Sequence, residues 1–274
     1  HFDLYSTSRI SYIAVPRFLF ILMPFRSWVE KSVNKTMKKI LLFMLPVMAL
    51  SLASCEKWTD DSPIIQFKDP KFLEAILSND DGSGDGWWII DKNGDGQISE
   101  KEAAAVMDRT LDLSGHEIRN MDEIRYFTAL TSLICYDNKL TSLDVSKNTA
   151  LTSLECSKNQ LTSLDLSNNT ALTVLSCFGN QLTSLDVSKN TALISLACYE
   201  NQLTSLDLSN NTALTSLTCN KNQLTSLDLS NNTALTDLSC RGNPLQKLII
   251  YKYHIIKYFS NIEESYGDII EYAE

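Results

Sequence analysis

The chain has 274 residues, of which 44% are hydrophobic and 21% charged, a balance that excludes disordered and collagen-like proteins. The formal net charge is −9, and residues 55–274 carry 31 acidic side chains against 17 basic ones. So acidic a body argues against binding to nucleic acid or anionic lipid, since both interactions depend on Lys and Arg.

The N-terminal region has the layout of an export signal. A basic start at Met37-Lys38-Lys39 precedes an apolar run, Ile40–Leu50, and small residues follow. This run is too short to cross a bilayer core of about 30 Å. The alternative to a signal peptide is a short buried helix. Residues 1–36 are predicted to be a non-native upstream extension, with a membrane-associated leader as the alternative.

Leu-Ala-Ser-Cys at the end of this segment resembles the lipobox of bacterial lipoproteins. The resemblance implies that residues 37–54 are a lipoprotein signal peptide and that Cys55 is lipidated as the first residue of the mature chain. Several acyl chains would anchor the protein stably, whereas one would not. Residues 55–69 are then predicted to be a linker.

A loop of twelve residues after this linker has the pattern of an EF-hand calcium site. Oxygen-bearing side chains occupy the ligand positions, and Gly96 stands at the sixth position, where the chain must turn sharply. The predicted ligands are Asp91, Asn93, Asp95, the backbone carbonyl of Gln97, Ser99 and Glu102. The EF-hand-like segment spans 70–107, with a short helix at Pro70–Leu77 and an exiting helix at Glu100–Met107.

The calcium site is predicted to be weak and structural. The sequence has no second complete loop to pair with the first, and the entering helix around Trp87 is poorly formed. A lone loop of this kind binds nearer the extracellular range of about 10⁻⁴–10⁻³ M than the range of calcium sensors. The alternative is a Gly/Asp-rich turn that holds no metal.

Six near-identical units with a period of 21 residues dominate the rest of the chain. We number them coils 1 to 6, and they begin at Leu130, Leu151, Leu172, Leu193, Leu214 and Leu235. The unit L-T-x-L-x-C-x-x-N-x-L-T-S-L-D-[LV]-S-x-N-T-A is a leucine-rich repeat pattern. The repeats occupy 130–244, a divergent capping coil occupies 108–129, and 245–274 is predicted to be a C-terminal cap.

The spacing of the apolar residues predicts a solenoid. In L-x-x-L-x-C the second Leu and the Cys lie two residues apart, so both face the same side of a strand. Coils stacked in register would bury these residues as ladders, because one coil cannot bury that face alone. The predicted fold class is α/β: a leucine-rich repeat solenoid with a parallel sheet on its concave face, few or no helices in the repeats, and a small helical N-terminal segment.

Three further rows accompany the sheet. The Asn after each strand is predicted to hydrogen-bond turn backbone, and the Asp of the second half-coil to accept from turn backbone in solvent. The cysteines are predicted to stay free, because parallel strands about 4.8 Å apart exceed the roughly 3.8 Å Cβ separation of a disulfide. They are Cys135, Cys156, Cys177, Cys198, Cys219 and Cys240.

The layout from Met37 to Glu274 resembles leucine-rich repeat lipoproteins of gut-dwelling Gram-negative Bacteroidota, and the Cys-containing repeat resembles that of internalin-type surface proteins. The resemblance implies export, display on the outer membrane or cell surface, and recognition of another protein. It implies no reaction, and it assigns no ligand to particular residues.

The repeats vary most on either side of the ladder Cys, at positions that point outward onto the concave face. The residue after the Cys is Tyr136, Ser157, Phe178, Tyr199, Asn220 or Arg241. Tyr, Phe and Arg are the types that binding hot spots favour, so Tyr136, Phe178, Tyr199 and Arg241 are the candidate partner-binding residues. Drift at unconstrained solvent positions would also explain the variation.

The predicted function is a surface-anchored, non-enzymatic module that binds a protein partner. Glycan capture by the same aromatic residues is the alternative, and a purely structural envelope role is a further one. No enzyme is predicted, because nucleophile–base pairs, metalloprotease motifs and phosphate loops are lacking and the three histidines are scattered. Membrane contact is expected only through the lipid anchor.

Overall fold

The computed structural model describes residues 60–78, 90–106, 110–251 and 267–273. The predicted upstream extension, the signal peptide and Cys55 lie outside these residues. The described residues fall in one compact unit that begins at Asp60. Within the described part of the chain, no helix has the length and apolar character needed to cross a membrane.

Ten short strands in the described residues make up two parallel sheets. Numbered along the chain, they are β1 Thr110–Asp112, β2 Ser132–Ile134, β3 Ser153–Glu155, β4 Val174–Ser176, β5 Ser195–Ala197, β6 Ser216–Thr218, β7 Ser226–Leu229, β8 Asp237–Ser239, β9 Lys247–Tyr251 and β10 Ile270–Ala273. The main sheet contains β1 to β6 and then β8 in chain order. Each repeat strand pairs with the residue 21 positions further on, as Leu133 does with Leu154. The predicted solenoid is confirmed.

Each coil contributes the same set of inward side chains to one continuous core. In coil 3 these include Leu172, Leu175, Cys177, Leu182 and Val187, all fully buried. Burial of one such leucine stabilises a fold by about 1.5–3 kcal/mol, but only if a neighbouring coil covers it. The Cys directly follows the main-sheet strand of each coil, two positions after an inward Leu, and it packs as a small apolar side chain.

Each repeat strand of the main sheet leads into a left-handed turn residue. These residues are Asp137, Lys158, Gly179, Glu200, Lys221 and Gly242, with φ between 49° and 71°. Residues with a Cβ are strained in this region of φ. Two of the six turns have Gly there, and the other four accept the backbone strain. The repeat spacing alone did not predict this conformation.

The predicted role of the Asn after each turn is confirmed. The Asn159 amide nitrogen donates to the carbonyls of Cys135 and Cys156 at 2.9 and 3.1 Å, and its Oδ1 accepts from the Leu140 N–H at 3.0 Å. One side chain thus pairs three backbone groups on two neighbouring coils. Equivalent bonds recur at Asn138, Asn180, Asn201, Asn222 and Asn243.

A second asparagine row lies deeper in the solenoid and was not predicted. The Asn169 amide nitrogen donates to the carbonyls of Val145 and Asn148 at 3.0 and 2.9 Å, while its Oδ1 accepts no hydrogen bond. The row consists of Asn148, Asn169, Asn190, Asn211 and Asn232, all fully buried. These side chains join the turns of successive coils across the stack.

The second half of each coil was predicted to form a short extended segment. Hydrogen bonding makes it a strand in coil 5, as β7, whereas in coils 1 to 4 it stays irregular. β9 pairs with β7 at the repeat spacing, so that Leu248 lies beside Leu227, and β10 extends this second sheet. The spacing of 21 residues therefore continues to Ile250, inside the segment predicted to be the C-terminal cap.

The N-terminal side of the solenoid carries helices α1, Pro70–Leu77, and α2, Glu100–Ala104. Helix α1 is as predicted; α2 ends at Ala104, short of the prediction, and Met107 lies outside the described residues. Asp69 caps α1 through the Lys71 N–H at 3.0 Å. Its other oxygen accepts from the Arg119 N–H at 2.6 Å, which ties α1 to the capping coil.

Candidate functional site

The outward side of the main sheet, which we call the strand face, carries an aromatic cluster of Tyr136, Phe178 and Tyr199. The rings of Tyr136 and Phe178 lie 6.2 Å apart at 56°, and those of Phe178 and Tyr199 lie 4.2 Å apart at 8°. Two strand spacings would separate the first pair by about 10 Å. Their rings lie closer together than this. Ser157, at the same position of the coil between them, is fully buried.

One side of each ring in this cluster has a neighbour. Phe178 and Tyr199 cover one face of each other, and the Lys158 ammonium lies 5.1 Å from the centroid of the Tyr136 ring. The hydrogen bond to Tyr136 raises the pKa of Lys158, so this side chain stays charged. The pKa of Tyr199 is raised by burial and then by the carboxylates of Glu200 and Glu155.

Arg241 is not part of the cluster. It is exposed and stands two coils beyond Tyr199, with Asn220 on the coil between them. The Asn220 Oδ1 accepts from the Arg241 N–H at 2.8 Å and from the Ser239 hydroxyl at 2.9 Å. Of the four predicted partner-binding residues, the structure therefore groups three and leaves Arg241 at a distance.

Two exposed apolar residues were missed: Val174, which points outward in β4, and Ile194, which directly precedes β5. Val174 and Ile194 are 41% and 45% exposed, on coils 3 and 4, the coils that also hold Phe178 and Tyr199. The other coils carry Ser or Asp where coil 3 has Val174, and Thr where coil 4 has Ile194. Comparison of the repeats at these positions would have revealed both residues.

Glu155 is the charged residue nearest the middle of the strand face. It lies in register between Ile134 and Ser176 and is half-buried. Its carboxylate accepts from the Ser157 N–H at 3.3 Å. The ion pairs found in the described residues do not include it, whereas Glu200 pairs with Lys221 at 2.6 Å.

The six ladder cysteines are free and buried, as predicted. Burial raises the pKa of each thiol, to about 12 for Cys198 and about 11 for Cys240. They therefore remain protonated at neutral pH, and a protonated thiol is neither a nucleophile nor a metal ligand. The ladder is a packing element and not a reactive centre.

The loop at 91–102 turns its oxygens inward. The Asp91 carboxylate accepts from the N–H groups of Gly94 at 2.7 Å and Gly96 at 2.8 Å. Asn93 donates to Asp95 at 2.9 Å, and Asp95 accepts from the Gln97 N–H at 2.8 Å. Gly96 has a φ of 80°, as the sharp turn at the sixth position requires.

Glu102 closes this loop from its last position. It is 1% exposed and accepts from the N–H groups of Lys92 at 2.8 Å and Ser99 at 2.9 Å. Together with Ser99 it forms the capping box of α2. No group of three or more His, Cys, Asp or Glu within the described ranges is arranged to hold a metal ion. The donor types and the turn fit calcium, and an ion would have to compete with these hydrogen bonds.

The loop has a partner within the chain. Ser99 forms an antiparallel bridge with Ile64, and the Ile65 N–H donates to the Ile98 carbonyl at 2.9 Å. Asp60 accepts a short hydrogen bond from the Ser99 hydroxyl, and the Ser62 and Ser99 side chains lower the pKa of Asp60 to about 2. The described part of the predicted linker thus pairs with the loop where a second loop would pair in a two-loop domain.

The Asp row of the second half-coil is a structural feature. Asp165 accepts from the Ser167 N–H at 2.9 Å, and this bond lowers the pKa of Asp165. The same contact occurs at Asp144, Asp186, Asp207 and Asp228. These carboxylates fix turns, as predicted.

No protein-family model and no curated protein matches the chain. Among solved structures, an internalin (inlF) of Listeria monocytogenes is 21% identical with a TM-score of 0.52, over 68% of this chain and 63% of that one. The functional domain of InlJ from Listeria monocytogenes, described as including a cysteine ladder, is 33% identical with a TM-score of 0.38, over 57% and 46%. A leucine-rich repeat protein of Leptospira interrogans is 26% identical with a TM-score of 0.45, over 47% and 36%.

The chain spans less than two thirds of the length of each of these proteins. The likeness to the inlF internalin agrees with the leucine-rich repeat solenoid described above.

Proposed function

We propose that the chain is a non-enzymatic recognition module that binds a protein partner through the strand face. The observation that carries this proposal is the aromatic cluster, three neighbouring rings on a sheet face otherwise rich in Ser and Thr. Aromatic residues dominate hot spots because they bury a large area with few rotatable bonds. Val174 extends the apolar area on coil 3.

The ring geometry favours a protein partner over a glycan. A sugar stacks on an open aromatic face, and the contact between Phe178 and Tyr199 removes one face of each ring, while Lys158 lies against Tyr136. The three rings are half-buried, and their remaining surface can pack against apolar side chains of a protein. Glycan capture is therefore the second candidate.

The test is affinity capture with the chain, compared with a triple variant, Tyr136→Ala, Phe178→Ala and Tyr199→Ala. We expect the triple variant to keep its fold and to lose the captured protein. A matched control, Thr162→Ala with Thr183→Ala and Thr204→Ala, changes exposed residues of the second half-coil. Equal capture by both variants, or binding on a glycan array with no protein captured, would contradict the proposal.

We also propose that the protein is exported and held at the outer membrane or cell surface by lipids on Cys55. The support is the basic start, the apolar run and Leu-Ala-Ser-Cys. Metabolic labelling with a clickable fatty acid should tag the wild type and not Cys55→Ala. Equal labelling of both proteins would refute the anchor, and protease treatment of intact cells would report exposure.

Finally, we propose that the loop at 91–102 binds Ca²⁺ weakly as a structural clip. The support is the oxygen donor set of Asp91, Asn93, Asp95 and Glu102 around the turn at Gly96. Millimolar Ca²⁺ should raise the melting temperature, because the ion binds the folded state. Glu102→Gln keeps a residue suited to the capping box but should abolish the shift. A wild type whose melting does not respond to Ca²⁺ would refute the site.

A further inference from the structure

We infer that the partner segment that docks on the strand face presents a Lys or Arg opposite Glu155, between apolar side chains that contact the two ends of the face. The inference rests on the proposed function and specifies the chemistry of the partner. The observation behind it is the position of the Glu155 carboxylate beside the aromatic cluster and Val174.

The apolar contacts lie at both ends of the strands. On coil 3, Val174 opens β4 and Phe178 follows it, and four residues of extended chain separate them by about 13 Å. On coil 4, Tyr199 follows β5 at the same end as Phe178. The residues between are small, Ser176 and Ala197. A partner that covers this surface must therefore place apolar groups at both ends of the strands. Between these ends it crosses the small side chains of Ser176 and Ala197.

Glu155 lies beside this strip. Its strand β3 is the neighbour of β4, and Glu155 pairs in register with Ser176. At the outward strand positions of coils 1 to 5 and the positions after the ladder Cys, it is the one charged residue. A partner that covers the cluster and Val174 will also cover Glu155.

Covering this carboxylate without a cation would be unfavourable, because a charge removed from water needs a partner or hydrogen bonds. The neighbouring cations are engaged elsewhere: Lys158 lies over the Tyr136 ring, and Lys221 pairs with Glu200. Neither of them is paired with Glu155, so a Lys or Arg of the partner would supply the cation. The excess of 31 acidic over 17 basic residues in 55–274 would also speed encounter with a basic partner.

A second copy of the chain is a poorer occupant. Two copies of the chain repel one another through their net charge of −9, and a second copy offers Glu155 no dedicated cation. A basic peptide segment satisfies both the apolar ends and the carboxylate. The sedimentation velocity of the full chain is measured alongside, and dimerisation lost on Glu155→Lys would overturn the inference.

The experiment is selection from a random 12-residue peptide phage library on the immobilised full chain, followed by affinity measurement of the selected synthetic peptides. We expect peptides with Lys or Arg between apolar residues, and at least tenfold weaker binding to Glu155→Lys, with a smaller loss for Glu155→Gln. The loss should shrink at high salt. Glu74→Lys, which makes the same charge change at an exposed position of helix α1, should bind as wild type.

The outcomes separate the two proposals. Selected peptides without basic residues, whose binding ignores Glu155→Lys but is lost in the triple aromatic variant, would overturn this inference and leave the proposed function intact. Peptides that bind the triple aromatic variant as well as wild type would contradict both. An equal loss in Glu74→Lys would reduce the effect to net charge and would also overturn the inference.

Discussion

The rings of Phe178 and Tyr199 stack with centroids 4.2 Å apart and planes 8° from parallel. They occupy the same repeat position on coils 3 and 4, where adjacent strands set their backbones about 4.8 Å apart. The solenoid spacing therefore holds two aromatic side chains in contact before any partner arrives. A surface ordered in advance loses less conformational freedom on binding.

This contact predicts a measurable coupling between the two residues. Phe178→Ala and Tyr199→Ala should each destabilise the protein modestly, and the double-mutant cycle should give a coupling of about 0.5–1.5 kcal/mol. Urea unfolding of the four proteins provides the values. The same cycle on Phe178 and the more distant Arg241 should give no coupling, and equal couplings for both pairs would contradict the stacking.

The left-handed turns predict an inverted preference between Gly and Ala. At Glu200, with a φ of 55°, Glu200→Gly should be more stable than Glu200→Ala by about 0.5–1 kcal/mol, although both lose the Lys221 contact. Thr204, which is not among the positive-φ residues, should show the reverse order. Thermal unfolding compares the four variants, and the same order at both positions would refute the explanation.

The asparagine ladder predicts a dependence on position in the stack. Asn180→Ala leaves buried carbonyls and the Leu161 N–H without partners and should cost at least about 2 kcal/mol. Asn243, in the last repeat, is only half-buried, so Asn243→Ala should cost clearly less because water can replace the amide. Equal losses in chemical unfolding would mean that the ladder bonds are not the cause.

Much of the fold follows from the sequence because a period of 21 residues fixes which side chains must lie inside. The Leu and Cys ladders, the strand-end Asn and the Asp row were all predictable in this way. The buried row of Asn148 was overlooked because the same S-x-N-T-A segment also suits an exposed turn. The positive φ at Lys158 is indicated only by Gly179 and Gly242 at the same repeat position, since the other coils carry Asp, Lys or Glu there.

The binding face was predictable in part. Alternation along the strand placed Tyr136, Phe178 and Tyr199 on one side, but the ring contacts depend on rotamers that spacing does not determine. Val174 and Ile194 each replace a Ser or Thr in rows that are otherwise nearly constant, so the repeat pattern alone does not indicate an apolar residue there. The pairing of Ile64 with Ser99 could not be foreseen, since nothing in that short polar segment specifies a strand partner.

The buried thiols predict both inertness and an alkaline weakness. In the native protein, few of the ladder thiols should react with a thiol reagent. All six should react after denaturation without reductant. Since folding raises their pKa, the stability they contribute is complete below the unfolded value of about 8.5 and falls as pH rises beyond it.

Each thiol should steepen that loss by about 1.4 kcal/mol per pH unit. Urea unfolding between pH 8 and pH 10 should therefore show a shallower decline for Cys177→Ala than for wild type. Ser195→Ala, on the strand face, is the control and should leave the slope unchanged. Identical slopes for Cys177→Ala and wild type, or fewer than two reactive thiols after denaturation, would contradict free, protonated cysteines.

Site-specific photocrosslinking tests the central claim most directly. A photoreactive phenylalanine analogue replaces Tyr199 on the strand face in one protein and Thr183, an exposed residue of the second half-coil, in another. Binding through the strand face predicts that the protein captured in lysate crosslinks from position 199 and not from position 183. Crosslinking from position 183 alone, or equally from both positions, would contradict it.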